Sequence, residues 1–418
     1  MSALTAQKAI EALRNGVPNS DAVRALGCMQ PEALDRYRRQ LDRLTLGAIE
    51  SEPPFVPGTL IAADFGAGKS HTLSYLEQEA LSRNFVVSRV VISKETPLHN
   101  PAKLFQAAVR EARLPDSRGS LLHELAMRVD YQSERAQAFI EWSKRKQPYG
   151  MLAASVLIDE KSSNAELKAQ VVNWWSGEKL TVSSIRTGLA ELGMPRAFDV
   201  KAVSESDLAP IRFGFAVRLA RAAGFHGWVL LLDEVELVGR YSLLQRARSY
   251  AELARWLGAV PDKGVPGITT VAAITDDFDI EVLERREDKT KAPERLRQAG
   301  DQKGLSQAQM AETGIGLITS PQVVRLHAPS DDTLAVSFER LRKLYETAYG
   351  YAPKGLVPHE GAAHQAMRSY VRRWISDWDL DRLYGEREHV PVEETLKVDY
   401  SESPELSEEA EVPAGEVG

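Results

Sequence analysis

The chain has 418 residues, of which 43% are hydrophobic and 27% charged, with a formal net charge of −7. That is enough for two or three domains and a large buried core. No apolar run approaches the roughly 20 residues of a membrane-spanning helix, and Met1 to Asn15 lacks the apolar centre of a secretory leader, so the expectation is a cytoplasmic protein with no membrane partner. The single cysteine, Cys28, excludes an internal disulfide and a cysteine-only metal site.

The charge is unevenly spread. Residues 386–418 carry eleven acidic side chains against Arg387 and Lys397, which leaves 50 basic and 48 acidic residues in the rest of the chain. A globally basic nucleic-acid binder is therefore not indicated; DNA stays open as a partner through a local patch.

In chain order, residues 1–50 read as a helical segment. Ala9, Ile10 and Leu13 share one helix face, Gly16-Val-Pro-Asn19 is a stop, a second helix runs from about Ser20 to Leu26, and Leu34, Tyr37, Leu41 and Leu44 recur at helical spacing. Short helices around a turn can read DNA, but more often they are plain packing. Pro53-Pro-Phe-Val-Pro57 is a linker. A strand is expected over Gly58–Ala63, a helix over Ser70–Ser82 and a second strand over Phe85–Ile92. Residues 100–225 are mostly helical, with breaks at Tyr149-Gly150 and after Trp174-Trp175. Further strands are expected at Trp228–Leu232, Ile268–Ile274 and Val323–Leu326, with a polar, loop-rich stretch at 281–320. Helices are expected over Leu334–Tyr349 and Ala362–Leu383, and the acidic tail from Glu386 is expected to be disordered. Strands alternating with helices predict an α/β fold, a mainly parallel sheet with helices on both faces.

The segment Ala63-Asp64-Phe65-Gly66-Ala67-Gly68-Lys69-Ser70 carries the most specific signal. Gly66 and Gly68 let the backbone curl so that successive N–H groups face an anion. The helix that follows aims its positive end at the same point. Lys69 sets a cation against β and γ phosphates, and the Ser70 hydroxyl is a magnesium ligand. This is the P-loop pattern, with Ala63 where its first glycine stands. ATP with Mg2+ is the expected ligand pair. No Asn/Thr-Lys-x-Asp signature for guanine follows the last strands.

His226-Gly-Trp-Val-Leu-Leu-Leu-Asp233-Glu234 reads as a buried parallel strand ending in two carboxylates. The carboxyl end of such a strand lies beside the phosphate loop. Asp233 there would hold magnesium, and Glu234 would polarise the attacking water. A competitor, Ala153 to Glu160, also ends in Asp-Glu, but it runs on into a helical pattern. Thr275, after the next strand, is the polar residue placed to sense the γ-phosphate or the attacking water; a plain strand cap is the alternative. Transition-state charge calls for an arginine. Arg372 and Arg373 in the C-terminal helix could act within the chain, and Arg285, Arg286, Arg295 and Arg297 could serve a neighbouring subunit. Trp374 and Trp378, four residues apart, read as packing rather than as a base-stacking platform.

With these residues in place the chain resembles the P-loop ATP-binding proteins encoded in BREX bacteriophage-exclusion loci, of the BrxD type, over about residues 5–385. The resemblance rests on Ala9-Ile-Glu-Ala-Leu-Arg-Asn-Gly-Val-Pro18, Phe65-Gly-Ala-Gly-Lys-Ser-His71, Trp175-Ser-Gly-Glu178, Leu232-Asp-Glu-Val-Glu236 and Arg248-Ser-Tyr250. It adds His71 to the nucleotide-binding residues. It implies an AAA+-like P-loop core related to origin-recognition and helicase-loader ATPases, at 51–330, with a long helical insertion at about 100–225. The 164 positions between Lys69 and Asp233 agree with such an insertion. It also implies a helical lid at 331–385 carrying Arg372 or Arg373 as the sensing arginine, and a role in defence against phage beside protein partners, with a homo-oligomer left open. A DNA-linked ATPase leads among the functions this allows. An ATP-gated scaffold with slow turnover comes second and a kinase third, because Glu234 is placed to activate water.

Overall fold

The computed structural model describes residues 1–16, 19–47, 52–64, 67–116, 119–145, 150–353, 367–385 and 400–401. The expected tail disorder, the Tyr149 break and the start of the last expected helix lie outside them. So do Phe65 and Gly66 of the glycine-rich loop.

Among the described residues six strands form one sheet: β1 (Thr59–Ala62), β2 (Val86–Val91), β3 (Ala112–Arg113), β4 (Trp228–Asp233), β5 (Ile268–Ile274) and β6 (Val324–Arg325). Their spatial order is β3-β2-β4-β5-β1-β6, and every pair is parallel except β2 with β3. β5 therefore separates the loop-bearing strand β1 from the acidic strand β4, and the ends of all three open on one edge. β4 and β5 are buried at every position, Thr269 and Thr270 of β5 included, as a strand covered on both faces is.

The period of two sorts the side chains. Ile61, Val87, Val229, Leu231, Val271 and Ala273 face one way, onto α3 (Pro31–Leu46) and α4 (Lys69–Ser82). Leu60, Val86, Val90, Leu230, Leu232 and Ala272 face the other way, into the larger core. That core receives the helices between β2 and β4: α5 (Pro101–Arg110), α6 (Leu121–Arg128), α7 (Glu134–Arg145), α8 (Gly150–Lys161), α9 (Ala165–Trp175), α10 (Val182–Glu191) and α11 (Glu205–Ala222). The competing Asp159-Glu160 pair lies in α8, where Asp159 accepts the Tyr131 hydroxyl, far from any strand end.

Residues 281–320 differ from the expectation of loops. After α12 (Leu243–Trp256) the chain forms α13 (Asp288–Arg297) and α14 (Gln302–Ile318). Each buries only a narrow stripe: Ala292 and Leu296 in α13, and Ala308, Ala311, Ile315 and Ile318 in α14. In α13 the charged outer face dominates the composition and hides that stripe, and in α14 the buried stripe is made largely of small residues.

The N-terminal helices pack against two helices late in the chain. α1 (Ala3–Arg14) and α2 (Ser20–Leu26) bury Ile10, Leu13 and Leu26 against α15 (Asp331–Tyr349) and α16 (Met367–Tyr384). Trp374 and Trp378 stand edge-on to Phe338 at 5.2 and 5.4 Å and are buried, which is packing. The first two helices thus join the C-terminal pair, while α3 belongs to the sheet.

Candidate functional site

The loop between β1 and α4 is set by backbone geometry. Gly68 takes φ +97°, a left-handed conformation that favours glycine, and α4 begins at the next residue. Ala63 is fully buried at the strand end, its N–H donating to the Ile274 carbonyl at 3.2 Å, so a small residue closes this position. Lys69 is nearly buried. Its Nζ donates to the Ala63 carbonyl at 3.0 Å and lies 3.7 Å from Glu236 Oε1. Asp64 is exposed at the loop's edge.

Asp233 is 4% exposed at the end of β4. Its Oδ2 accepts from Arg89 Nη2 at 2.6 Å and its Oδ1 accepts the Glu234 N–H at 3.0 Å. Glu234 is an exposed residue with φ +56° and ψ +38°. A non-glycine residue in the left-handed region is strained, and such strain concentrates at functional sites. The turn swings the Glu234 side chain out of the strand line and into the cleft. Partial desolvation within the cleft and the adjoining Asp233 push its carboxyl up. Glu236, on the 3-10 turn Val235–Arg240, is 6% exposed, and its second oxygen, Oε2, is buried without a hydrogen-bond partner. Burial pushes this carboxyl up to about 7, against the pull of Lys69.

These groups share one cleft of about 360 Å³. Ala67, Gly68, Lys69 and Ser70 line it from the loop, and Asp233, Glu234 and Glu236 from the acidic strand end. The rest of the wall is mostly apolar: Leu13, Leu26, Met29 and Pro31 from the N-terminal region, Ala328 and Pro329 after β6, and Met367 and Val371 from α16. His71 also borders the cleft; its Nε2 bonds the Gly27 carbonyl at 2.8 Å, tying α4 to the end of α2. Burial lowers its pKa.

The other predicted residues have partners of their own. Thr275 is buried at the end of β5, and its hydroxyl meets that of Tyr400. Tyr400 also donates to Asp277 Oδ1 at 2.8 Å, sets its ring against Phe278 and accepts from Arg286 through its carbonyl. In α16, Arg372 donates to the Arg14 carbonyl at 3.1 Å and Arg373 lies 3.8 Å from Asp377. The arginine of this helix that lines the cleft is Arg368, one turn earlier. Arg285, Arg286, Arg295 and Arg297 bond Glu281, Gly239, Gln298 and Glu312 within the chain. Sequence reasoning missed Arg368, Arg89, the role of Glu236 as the partner of Lys69, and Tyr400. Only Glu236 carried a signal, its place two residues after Glu234 in Leu232-Asp-Glu-Val-Glu236.

An anion-ready turn and a strained glutamate thus line one cleft together with apolar side chains, the combination that a nucleotide's phosphates and base require. The chain matches the family described as BREX system ATP-binding protein BrxC/D over residues 1–125 and 122–377. It belongs to that family. No curated protein and no solved structure matches the chain. Membership makes ATP the implied ligand and sets the protein in a BREX defence system. Among the described residues no helix is long and apolar enough to cross a membrane.

Proposed function

We propose that this BrxC/D-family chain is an AAA+-like ATPase that hydrolyses ATP with magnesium and couples turnover to remodelling of DNA or of a protein assembly. The observation that carries the reading is Glu234, held at φ +56° in the same cleft as Lys69. A carboxylate aimed into the phosphate end of the cleft is what activation of a water needs.

The roles follow from the chemistry. Backbone N–H groups of the 63–70 loop would cradle the phosphates, with Lys69 against the β and γ groups. Ser70 and Asp233 would hold magnesium, and the small protein donor set suits an ion that takes most of its ligands from phosphate and water. Magnesium would neutralise charge building on the phosphates. Leu13, Leu26, Met29, Met367 and Val371 offer an apolar site for the base. Arg368, on the cleft, is better placed than Arg372 or Arg373 to meet phosphate charge. Thr275 must give up its Tyr400 partner before it can meet a γ-phosphate or water. That engaged state is the observation favouring the second reading, an ATP-gated scaffold with slow turnover.

The test is ATP turnover and ATP binding by the wild type, Glu234→Gln and Lys69→Ala, each with and without double-stranded DNA. We expect Glu234→Gln to keep binding and lose turnover by about 100-fold or more, as loss of an acid–base group does, and Lys69→Ala to lose binding as well. DNA stimulation of the wild type would identify DNA as the coupled partner. A wild type that binds ATP and does not turn it over in either condition would move the scaffold reading ahead.

A further inference from the structure

Arg89 stands on β2 two residues before Val91, the register partner of Asp233. Its side chain points to the sheet face that carries α4. One guanidinium nitrogen, Nη2, donates to Asp233 Oδ2 at 2.6 Å; the other, Nη1, donates to Ser74 Oγ at 2.7 Å. Ser74 Oγ in turn donates to the carbonyl of Ser70 at 2.8 Å. A continuous path of three hydrogen bonds therefore runs from the acidic end of β4 to the first turn of α4.

We propose that Arg89 is a positioning residue for the metal site, a fork that fixes the Asp233 carboxylate relative to the helix turn bearing the Ser70 hydroxyl. The inference rests on the reading that Ser70 and Asp233 hold magnesium. A planar guanidinium suits this task because its two nitrogens diverge at a fixed angle. Asp233 and Ser70 come from elements 163 residues apart in sequence. β5 lies between their strands, so sheet hydrogen bonds between neighbouring strands do not set their spacing directly. The Arg89 fork supplies the missing link from the far side of β4. The Glu234 N–H on Asp233 Oδ1 completes the hold, leaving the carboxylate able to meet a metal-bound water through its remaining lone pairs. Arg89 acts through Asp233 and Ser74 and is not itself a ligand.

The experiment is a Mg2+ titration of the binding of a fluorescent ATP analogue to the full chain, in the wild type, Arg89→Lys, Ser74→Ala and the double variant, with binding in EDTA measured alongside. Lysine keeps the charge and loses the fork, so a role in charge alone predicts wild-type behaviour. We expect the half-saturating Mg2+ concentration to rise about tenfold in Arg89→Lys, as loss of an outer-shell partner does. It should rise by roughly threefold in Ser74→Ala and no further in the double variant than in Arg89→Lys, because the two share one path. Binding in EDTA should not change. An unchanged or lower Mg2+ requirement in Arg89→Lys, or independent effects in the double variant, would overturn the proposal. If Arg89→Lys does not fold, Ser74→Ala decides alone: an unchanged requirement there overturns it too. A wild type indifferent to Mg2+ is a separate failure, visible without any variant; it removes the magnesium reading itself, and this inference with it.

Discussion

At the scale of single residues the site is dominated by carboxylates held at unequal cost. Asp233 is compensated by Arg89 and a backbone N–H. Glu236 has only the edge of Lys69, and its Oε2 is buried bare. Desolvation of the charged form is the larger effect, so its carboxyl rises from 4.5 to about 7. The sign for stability follows. The folded state binds this proton more tightly than the unfolded chain does, so the favourable contribution is whole below about 4.5 and is lost as pH rises towards about 7. Glu252, buried in α12, is pushed up to about 7 by the same cause and acts in the same window. Glu236→Gln should therefore flatten the pH dependence of unfolding free energy between pH 4.5 and 7 by roughly 1–3 kcal/mol, with Glu252→Gln removing a separate share. Denaturant unfolding across that range is the measurement. An unaltered slope in Glu236→Gln would mean that this carboxyl does not titrate there.

At the scale of elements, close backbone approach decides what lies against what. Gly314 of α14 sits on the backbone of α12, where a Cβ would overlap the Tyr250 carbonyl oxygen. Both contacting parts are helix interior and neither can yield by rotating a side chain. Gly314→Ala should therefore destabilise the fold by about 1–3 kcal/mol, the range for overpacking. It should leave ATP affinity unchanged, since neither helix lines the cleft. Thermal unfolding beside nucleotide binding checks both parts. A neutral or stabilising result would mean that α14 rides higher on α12. The same contact explains why α14 was not legible in the sequence. A helix whose hold depends on glycine and alanine, as in Ala308, Ala311 and Gly314, has no strong apolar period. β1, β4 and β5 were legible because a buried parallel strand leaves a short run of mainly apolar and β-branched residues. The turn from β1 into α4 was legible because glycine, as at Gly68, admits the positive φ that the turn requires. Contacts such as Arg89 to Asp233, His71 to Gly27 and Tyr400 to Thr275 join residues 144, 44 and 125 positions apart. Local pattern carries no trace of them. The positive φ of Glu234 was equally hidden, because glutamate does not favour that conformation.

At the scale of the whole molecule, the N-terminal helices and α16 line the cleft that the sheet opens. Leu13, Leu26 and Met29 lie far in sequence from Met367 and Val371, yet they line one cleft with the glycine-rich loop. α1, α2, α15 and α16 share an apolar core of their own, and this helical unit is joined to α4 by the His71–Gly27 bond. A nucleotide with its phosphates on the loop and its base on those apolar residues would bind the unit to the sheet. Binding of this kind stabilises the folded state by about 2.7 kcal/mol at 100 times Kd, and the gain should be spread over both sides of the cleft. Hydrogen exchange with and without ATP and Mg2+ should accordingly slow in α1 and α16 as well as at the start of α4. Slowing confined to α4 and the end of β4 would show that the base lies away from those residues. The apolar surface of Leu13, Met29 and Val371 would then need another occupant, and the N-terminal helices and α16 would lose their part in nucleotide recognition.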